Sequence, residues 1–155
     1  MNQTGMNQDF LDVLGALVDC GADFVVVGAH ALAVHGIPRS TGDIDIFVRP
    51  SSENARSVMA ALREFGAPVK VHGIAEEDFS RLGFVYQIGL PPRRIDILTE
   101  VSGLSFDEVW RTKIQMRVGD IDVFFIGREA MIKNKRASGR TKDLVDVEAL
   151  EGDWG

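Results

Sequence analysis

The sequence predicts an α+β fold, a mixed β-sheet with helices packed mainly on one face. Three observations carry that expectation. Helix-spaced and strand-spaced apolar patterns alternate through the first half of the chain, the second half adds pairs of short apolar runs around turn residues, and no repeat, low-complexity tract or long linker interrupts them. At 155 residues and 45% hydrophobic content, the chain is expected to form a single domain over 1–155 with an ordinary core.

Each element has its own signal. Phe10, Val13, Leu14, Leu17 and Val18 recur at helical spacing, and Gly21 ends that helix. Phe24 to Val27 is a continuous apolar run, hence a buried strand, and Gly28 then lets the backbone turn sharply. A short helix over roughly Ala29 to His35 stops at Gly36, with Pro38 beyond. Asp43 to Val48 reads as the second strand, and Ala55, Val58, Met59, Leu62 and Phe65 as an amphipathic helix closed by Gly66. Phe84 to Ile88 and Arg94 to Leu98 flank Gly89-Leu90-Pro91-Pro92, as two antiparallel strands around a loop would. Ser105 and Glu108 form the capping box of a short helix. Ile114 to Val118 and Ile121 to Ile126 flank Gly119-Asp120, a tight hairpin turn, and helices from Arg128 to Arg136 and Lys142 to Leu150 complete the order.

The run Asp43-Ile44-Asp45-Ile46-Phe47-Val48 alternates acidic and apolar residues. A period of two puts Asp43 and Asp45 on one face and Ile44, Ile46 and Val48 on the core side. Like charges this close repel unless something positive sits between them, most simply one or two divalent cations, and hard oxygen ligands favour Mg²⁺ or Mn²⁺. Upstream, Gly28 leaves room for a ligand at the backbone, and the amides of the helix that follows favour an anion such as phosphate. Strand, glycine turn, helix and paired carboxylates together can build a site for metal and phosphate.

The chain supplies its own control. The tetrapeptide Gly-Asp-Ile-Asp occurs at Gly42 to Asp45 and again at Gly119 to Asp122. The second copy lies between two alternating runs and has no glycine turn and helix before it, so it reads as turn chemistry, and the first as the metal site.

These residues resemble the minimal nucleotidyltransferases of the DNA polymerase beta superfamily, particularly the small bacterial group related to abortive-infection toxins of toxin–antitoxin pairs. That family is marked by a strand, then G-[GS], about a dozen residues, D-h-[DE]-h with h apolar, and a third carboxylate on a separate strand. Here Gly28-Ala29, Asp43-Ile44-Asp45-Ile46 and Arg94-Ile95-Asp96-Ile97-Leu98 match, as does the ending from Asn134 to Asp146, so the likeness spans Phe24 to Leu150. Ala29 stands where the family has Ser or Gly; it keeps the backbone amide and removes a hydroxyl contact to phosphate.

The resemblance implies a nucleotidyltransferase fold and a metal-dependent transfer of a nucleoside monophosphate from an NTP donor to an acceptor hydroxyl. Asp43, Asp45 and Asp96 are then the catalytic and metal-binding carboxylates, with Asp96 also able to take the acceptor's proton. From the residues alone, the alternative is that Asp96 pairs with Arg94 or Arg93 on an open face. Gly28 and Ala29 would receive phosphate. Arg39 and Thr41 precede the aspartates, and a guanidinium there would touch a triphosphate or balance the acids. Lys133, Lys135, Arg136, Arg140 and Lys142 crowd together near the C-terminus, either as a solvated helix end or as a phosphate clamp, with Lys135 and Arg140 the choices within it.

Composition bounds the rest. The formal net charge of −6 argues against bulk attraction to nucleic acid. Cys20 is alone, which excludes an internal disulfide and suits a reducing compartment, and beside Leu17 and Val18 it reads as a core thiol. His30, His35 and His72 lack zinc spacing, and His30 and His35 are expected to cap, pack or line the site. No apolar run approaches a membrane span or signal segment, so a cytoplasmic protein without membrane contact is expected. The acceptor, among tRNA, a protein hydroxyl or a small molecule, is not written in these residues. With so little beyond the motifs, a homodimer or partner chain is expected to complete the cleft. Two rival functions remain from other classes: a catalytically idle relative that binds nucleotide or a partner, and a metal-dependent phosphohydrolase using water as nucleophile.

Overall fold

The structure is a computed structural model that describes residues 6–39 and 42–152. Its elements follow the order α1 Gln8–Asp19, β1 Phe24–Val27, α2 Gly28–Val34, β2 Ile44–Val48, α3 Ser52–Phe65, a 3₁₀ turn Glu76–Ser80, β3 Val85–Ile88, β4 Ile95–Leu98, α4 Phe106–Arg111, β5 Ile114–Val118, β6 Ile121–Phe125, α5 Arg128–Ser138 and α6 Thr141–Glu151. The expected mixed α+β architecture is thus observed. The 3₁₀ turn is the element that periodicity does not announce, because five residues are too few to show a helical repeat.

Helix boundaries follow local chemistry. The Asn7 side chain accepts from Phe10 N–H at 3.0 Å at the start of α1, and Ser51 Oγ accepts from Asn54 N–H at 3.1 Å at the start of α3. Ser105 and Glu108 form the expected capping box, each side chain accepting from the other's backbone N–H. Gly66 closes α3 in the left-handed conformation, φ 94°, where a Cβ would be strained.

Six strands form one sheet in the order β3-β4-β2-β1-β6-β5. β1 pairs antiparallel with β2, β3 with β4, and β5 with β6, while β2 with β4 and β1 with β6 are parallel. β1 and β2 are central and almost wholly buried, which explains why β1 reads as an unbroken apolar run rather than an alternation. α1 and α3 pack on each other, and Phe10, Leu14, Leu17, Val58, Met59 and Leu62 join the core they cover. Each such buried side chain contributes about 2 kcal/mol. Phe47, on the same face of β2 as Asp45, packs edge-on against Phe106 of α4 with ring centroids 5.0 Å apart. Buried Asn54 pins the start of α3 to the strand ends: it accepts from Asp23 N–H and donates to the carbonyls of Asp23 and Arg49.

None of the helices among the described residues is long and apolar enough to cross a membrane.

Candidate active site

The parallel pairing of β2 with β4 sets Asp45 directly beside Asp96, in a register that also aligns Ile44 with Ile95 and Ile46 with Ile97. Paired residues on neighbouring parallel strands project to the same face, so two carboxylates from distant parts of the chain meet there. Asp43 stands one residue before β2 at the mouth of the same face. The opposing wall comes from the C-terminus, where α5 and α6 pack together and carry Lys135, Arg140, Lys142, Asp143 and Asp146 toward the strand ends. The cleft between them has a volume of about 370 Å³ and is lined by Gly28, Ala29, Arg39, Asp43, Asp45 and Arg94 as well as those five.

Gly28 is the joint between β1 and α2. It opens α2 with φ +73°, a conformation that side chains rarely adopt. A Cβ there would stand 2.2 Å from Asp45 Oδ2. The missing side chain therefore leaves space where the Asp45 carboxyl sits. Burial, followed by the neighbouring charge of Asp96 and hydrogen bonding to it, pushes Asp45 up to about 6; Asp43 adds to this and Arg94 opposes it.

Arg94 lies among these acids. Its Nε donates to Asp96 Oδ1 at 2.8 Å and Nη2 to Oδ2 at 3.2 Å, and Nη2 is 3.4 Å from Asp43 Oδ2. The Arg94 backbone N–H donates to Asp43 Oδ1 at 3.1 Å. Asp96 is buried behind that guanidinium and does not line the cleft. Of the two readings left open for Asp96, a pairing with Arg94 is thus present, on a buried rather than an open face.

Within the cationic cluster Lys133, Arg136, Arg140 and Lys142 stay exposed, whereas Lys135 is drawn inward onto two carboxylates. Lys135 Nζ donates to Asp143 at 3.3 Å and Asp146 at 2.9 Å, and Arg140 Nε donates to Asp143 at 2.7 Å. Asp146 also forms an ion pair with Arg39. Burial opposes ionisation of Asp143, but hydrogen bonds from Arg140, Ser138 and Lys135 outweigh it and hold the group at about 2. Lys135 moves down as well, because its burial outweighs the pull of Asp143. Asp143 and Asp146 are the cleft residues that the sequence reading passed over as a site. Their signal was available: Asp143, Asp146, Val147 and Leu150 form the inward stripe of α6, with carboxylates in two positions where a core helix carries apolar side chains.

Thr41 lies outside the described residues. Gly28, Ala29, Arg39, Asp43, Asp45, Lys135 and Arg140 meet in one cleft although they span more than a hundred residues of sequence. The histidines divide as packing groups. His35 Nε2 hydrogen-bonds the Ile126 carbonyl at 2.8 Å, His72 pairs with the Tyr86 hydroxyl at 2.8 Å, and His30 stacks edge-on with Phe10. Burial lowers the pKa of His30, and a hydrogen bond to the Asp43 backbone opposes that. Cys20 is partly buried rather than a fully buried core thiol, and its thiol donates to Glu64 at 3.3 Å.

The donor set suits a hard divalent cation: Asp43, Asp45 and Asp96 offer carboxylate oxygens at the ends of two neighbouring strands. Among the described residues, no group of three or more His, Cys, Asp or Glu side chains is arranged to hold a metal ion as it stands. Asp43 and Asp96 both pair with Arg94.

A six-stranded mixed sheet with neighbouring strands that carry paired carboxylates, facing a basic helical wall, is the frame of a nucleotidyltransferase. The chain belongs to the family described as Nucleotidyltransferase of unknown function (DUF6036), whose model matches residues 10–151. Two solved structures share the fold. A presumed nucleotidyltransferase of Thermotoga maritima is 16% identical, with a TM-score of 0.56, covering 94% of this chain and 92% of that one. The lincosamide antibiotic adenylyltransferase LnuA, solved with lincomycin bound, is 14% identical, with a TM-score of 0.57, covering 95% of this chain and 98% of its own. No curated protein matches the chain in sequence.

Proposed function

We propose that this chain is a single-domain, metal-dependent nucleotidyltransferase that moves a nucleoside monophosphate from an NTP to an acceptor hydroxyl. The observation that carries the reading is the side-by-side register of Asp45 and Asp96, with Asp45 lining a cleft that Lys135, Arg140 and Lys142 also line. Asp43, Asp45 and Asp96 would hold Mg²⁺ or Mn²⁺, which when bound supplies charge neutralisation at the donor's phosphates. Lys135, Arg140 and Arg39 face the same cleft and would orient the triphosphate, with the backbone at Gly28 and Ala29 receiving its oxygens. Asp96 would accept the proton of the acceptor hydroxyl. The hydroxyl oxygen then bonds to the α-phosphorus as the bond to the pyrophosphate oxygen breaks.

The test is titration of the four NTPs with and without Mg²⁺, followed by assay of labelled transfer, for the wild type, Asp43→Asn and Asp45→Asn. Metal-dependent binding of one NTP and transfer lost in both variants is the expected result. Binding without turnover would mark a catalytically idle relative, and release of free nucleoside monophosphate a phosphohydrolase.

Of the three acceptor classes, the small molecule gains support from the shared fold with an antibiotic adenylyltransferase. A toxin role rests on the motif resemblance; growth arrest on expression that disappears with Asp45→Asn would support it. Completion of the cleft by a second copy predicts a dimer in light scattering.

A further inference from the structure

Among the described residues, Arg94 pairs with two of the three strand-end carboxylates. Both Asp96 oxygens accept from Arg94, Asp43 Oδ1 accepts from the Arg94 backbone N–H, and Asp43 Oδ2 faces the same Nη2 that reaches Asp96. A divalent cation would need those same lone pairs. Asp45 is placed differently: its carboxyl lies between the bare Cα of Gly28 and Asp96, and no hydrogen bond from Arg94 reaches it. Arg94 stands two residues before Asp96 on the same strand face, so the chain that carries the third carboxylate also carries its counter-charge. The guanidinium also borders the cleft of Lys135, Arg140 and Lys142, which gives it a second place to point.

We propose that Arg94 is a built-in counter-cation: it neutralises Asp43 and Asp96 while no metal is bound and must be displaced for a divalent ion to enter. Metal loading and release of Arg94 into the cleft are then one coupled event, and the freed guanidinium becomes a ligand for the donor's phosphates. The inference rests on the metal-dependent reading above. Coupling of this kind is reciprocal, so whatever Arg94 contributes to the metal-free protein is subtracted from its affinity for the ion.

The experiment measures Mn²⁺ binding by loss of the free-ion paramagnetic resonance signal, with melting curves before and after Mn²⁺, on the full chain, Arg94→Met, Arg94→Lys and Asp45→Asn. Arg94→Met is expected to bind Mn²⁺ about tenfold more tightly, to melt lower without metal, and to gain more on Mn²⁺ addition than the wild type. Arg94→Lys, whose ammonium cannot fork between two carboxylates, should fall between them, and it decides the matter if Arg94→Met does not fold. Equal or weaker Mn²⁺ binding in the folded Arg94 variants, while the wild type binds and Asp45→Asn does not, overturns the counter-cation and leaves the metal reading standing. Absence of Mn²⁺ binding in the wild type and every Arg94 variant overturns both.

Discussion

The two Gly-Asp-Ile-Asp copies are identical in sequence and opposite in environment. In the first, Asp45 lies in a central strand, half-buried, with Asp96 beside it and Gly28 against it. In the second, Gly119-Asp120 turns the β5–β6 hairpin with φ +59° at Gly119, and Asp122 sits exposed on the outer pair, 3.3 Å from Arg117. The difference teaches that a short acidic motif acquires chemistry from the strands that flank it in the sheet. A carboxylate on a hairpin keeps its water, while the same carboxylate between two buried strands must find a cation or a proton.

The sharpest way to break that contrast is to neutralise each copy. Asp45→Asn is expected to lower nucleotidyl transfer about a thousandfold, the equivalent of several kcal/mol of lost charge stabilisation. It should leave the metal-free melting temperature at or above that of the wild type. Asp122→Asn should change transfer and melting hardly at all; comparable losses in both variants would erase the distinction.

Ion pairs sharpen it next. Lys135→Met removes the ammonium shared by Asp143 and Asp146, which keep Arg140 and Arg39 as partners, and should destabilise the fold by about 2 kcal/mol in urea unfolding. Arg117→Met breaks an exposed pair at the hairpin and should leave the unfolding midpoint unchanged.

The glycines that open the two copies come third. A Cβ on Gly42 would stand 1.5 Å from the Pro92 carbonyl oxygen, whereas one on Gly119 meets only Leu11 Cδ2 at 3.6 Å. Gly42→Ala should therefore cost about 3 kcal/mol, from backbone that cannot shift cheaply. Gly119→Ala should cost about 1 kcal/mol, from its positive φ alone. Equal midpoints for the two would refute the contrast in packing.

The smallest effect is in acid. Asp143 sits at about 2 when folded, below the ordinary aspartate value, so the folded state binds fewer protons than the unfolded chain in that interval. Its contribution is present above the ordinary value and is lost as pH falls toward 2. The acid limb of the stability curve between about pH 4 and pH 2 should be shallower in Asp143→Asn than in wild type.

Much of this was legible along the chain. Period-two alternation in residues 43–48, the glycine after β1, the Ser105 and Glu108 cap and the hairpin around Gly119 are local patterns. Each is set by backbone geometry within a few residues. They determined the order of the strands and α-helices, the fold class and the separation of the metal-site candidate from its turn-forming twin. Sequence also placed Arg94 and Asp96 on one strand face, but it could not say whether that face was open or buried.

Only the tertiary structure decided which faces meet. The register that sets Asp45 beside Asp96 joins strands half a hundred residues apart, and the seating of Lys135 on Asp143 and Asp146 depends on how α5 packs on α6. The placement of Arg94 between Asp96 and Asp43 follows from the same sheet order. Periodicity tells a side chain which side to face. What it faces is settled by sheet order and helix packing, and the compensation of buried charge follows from those contacts.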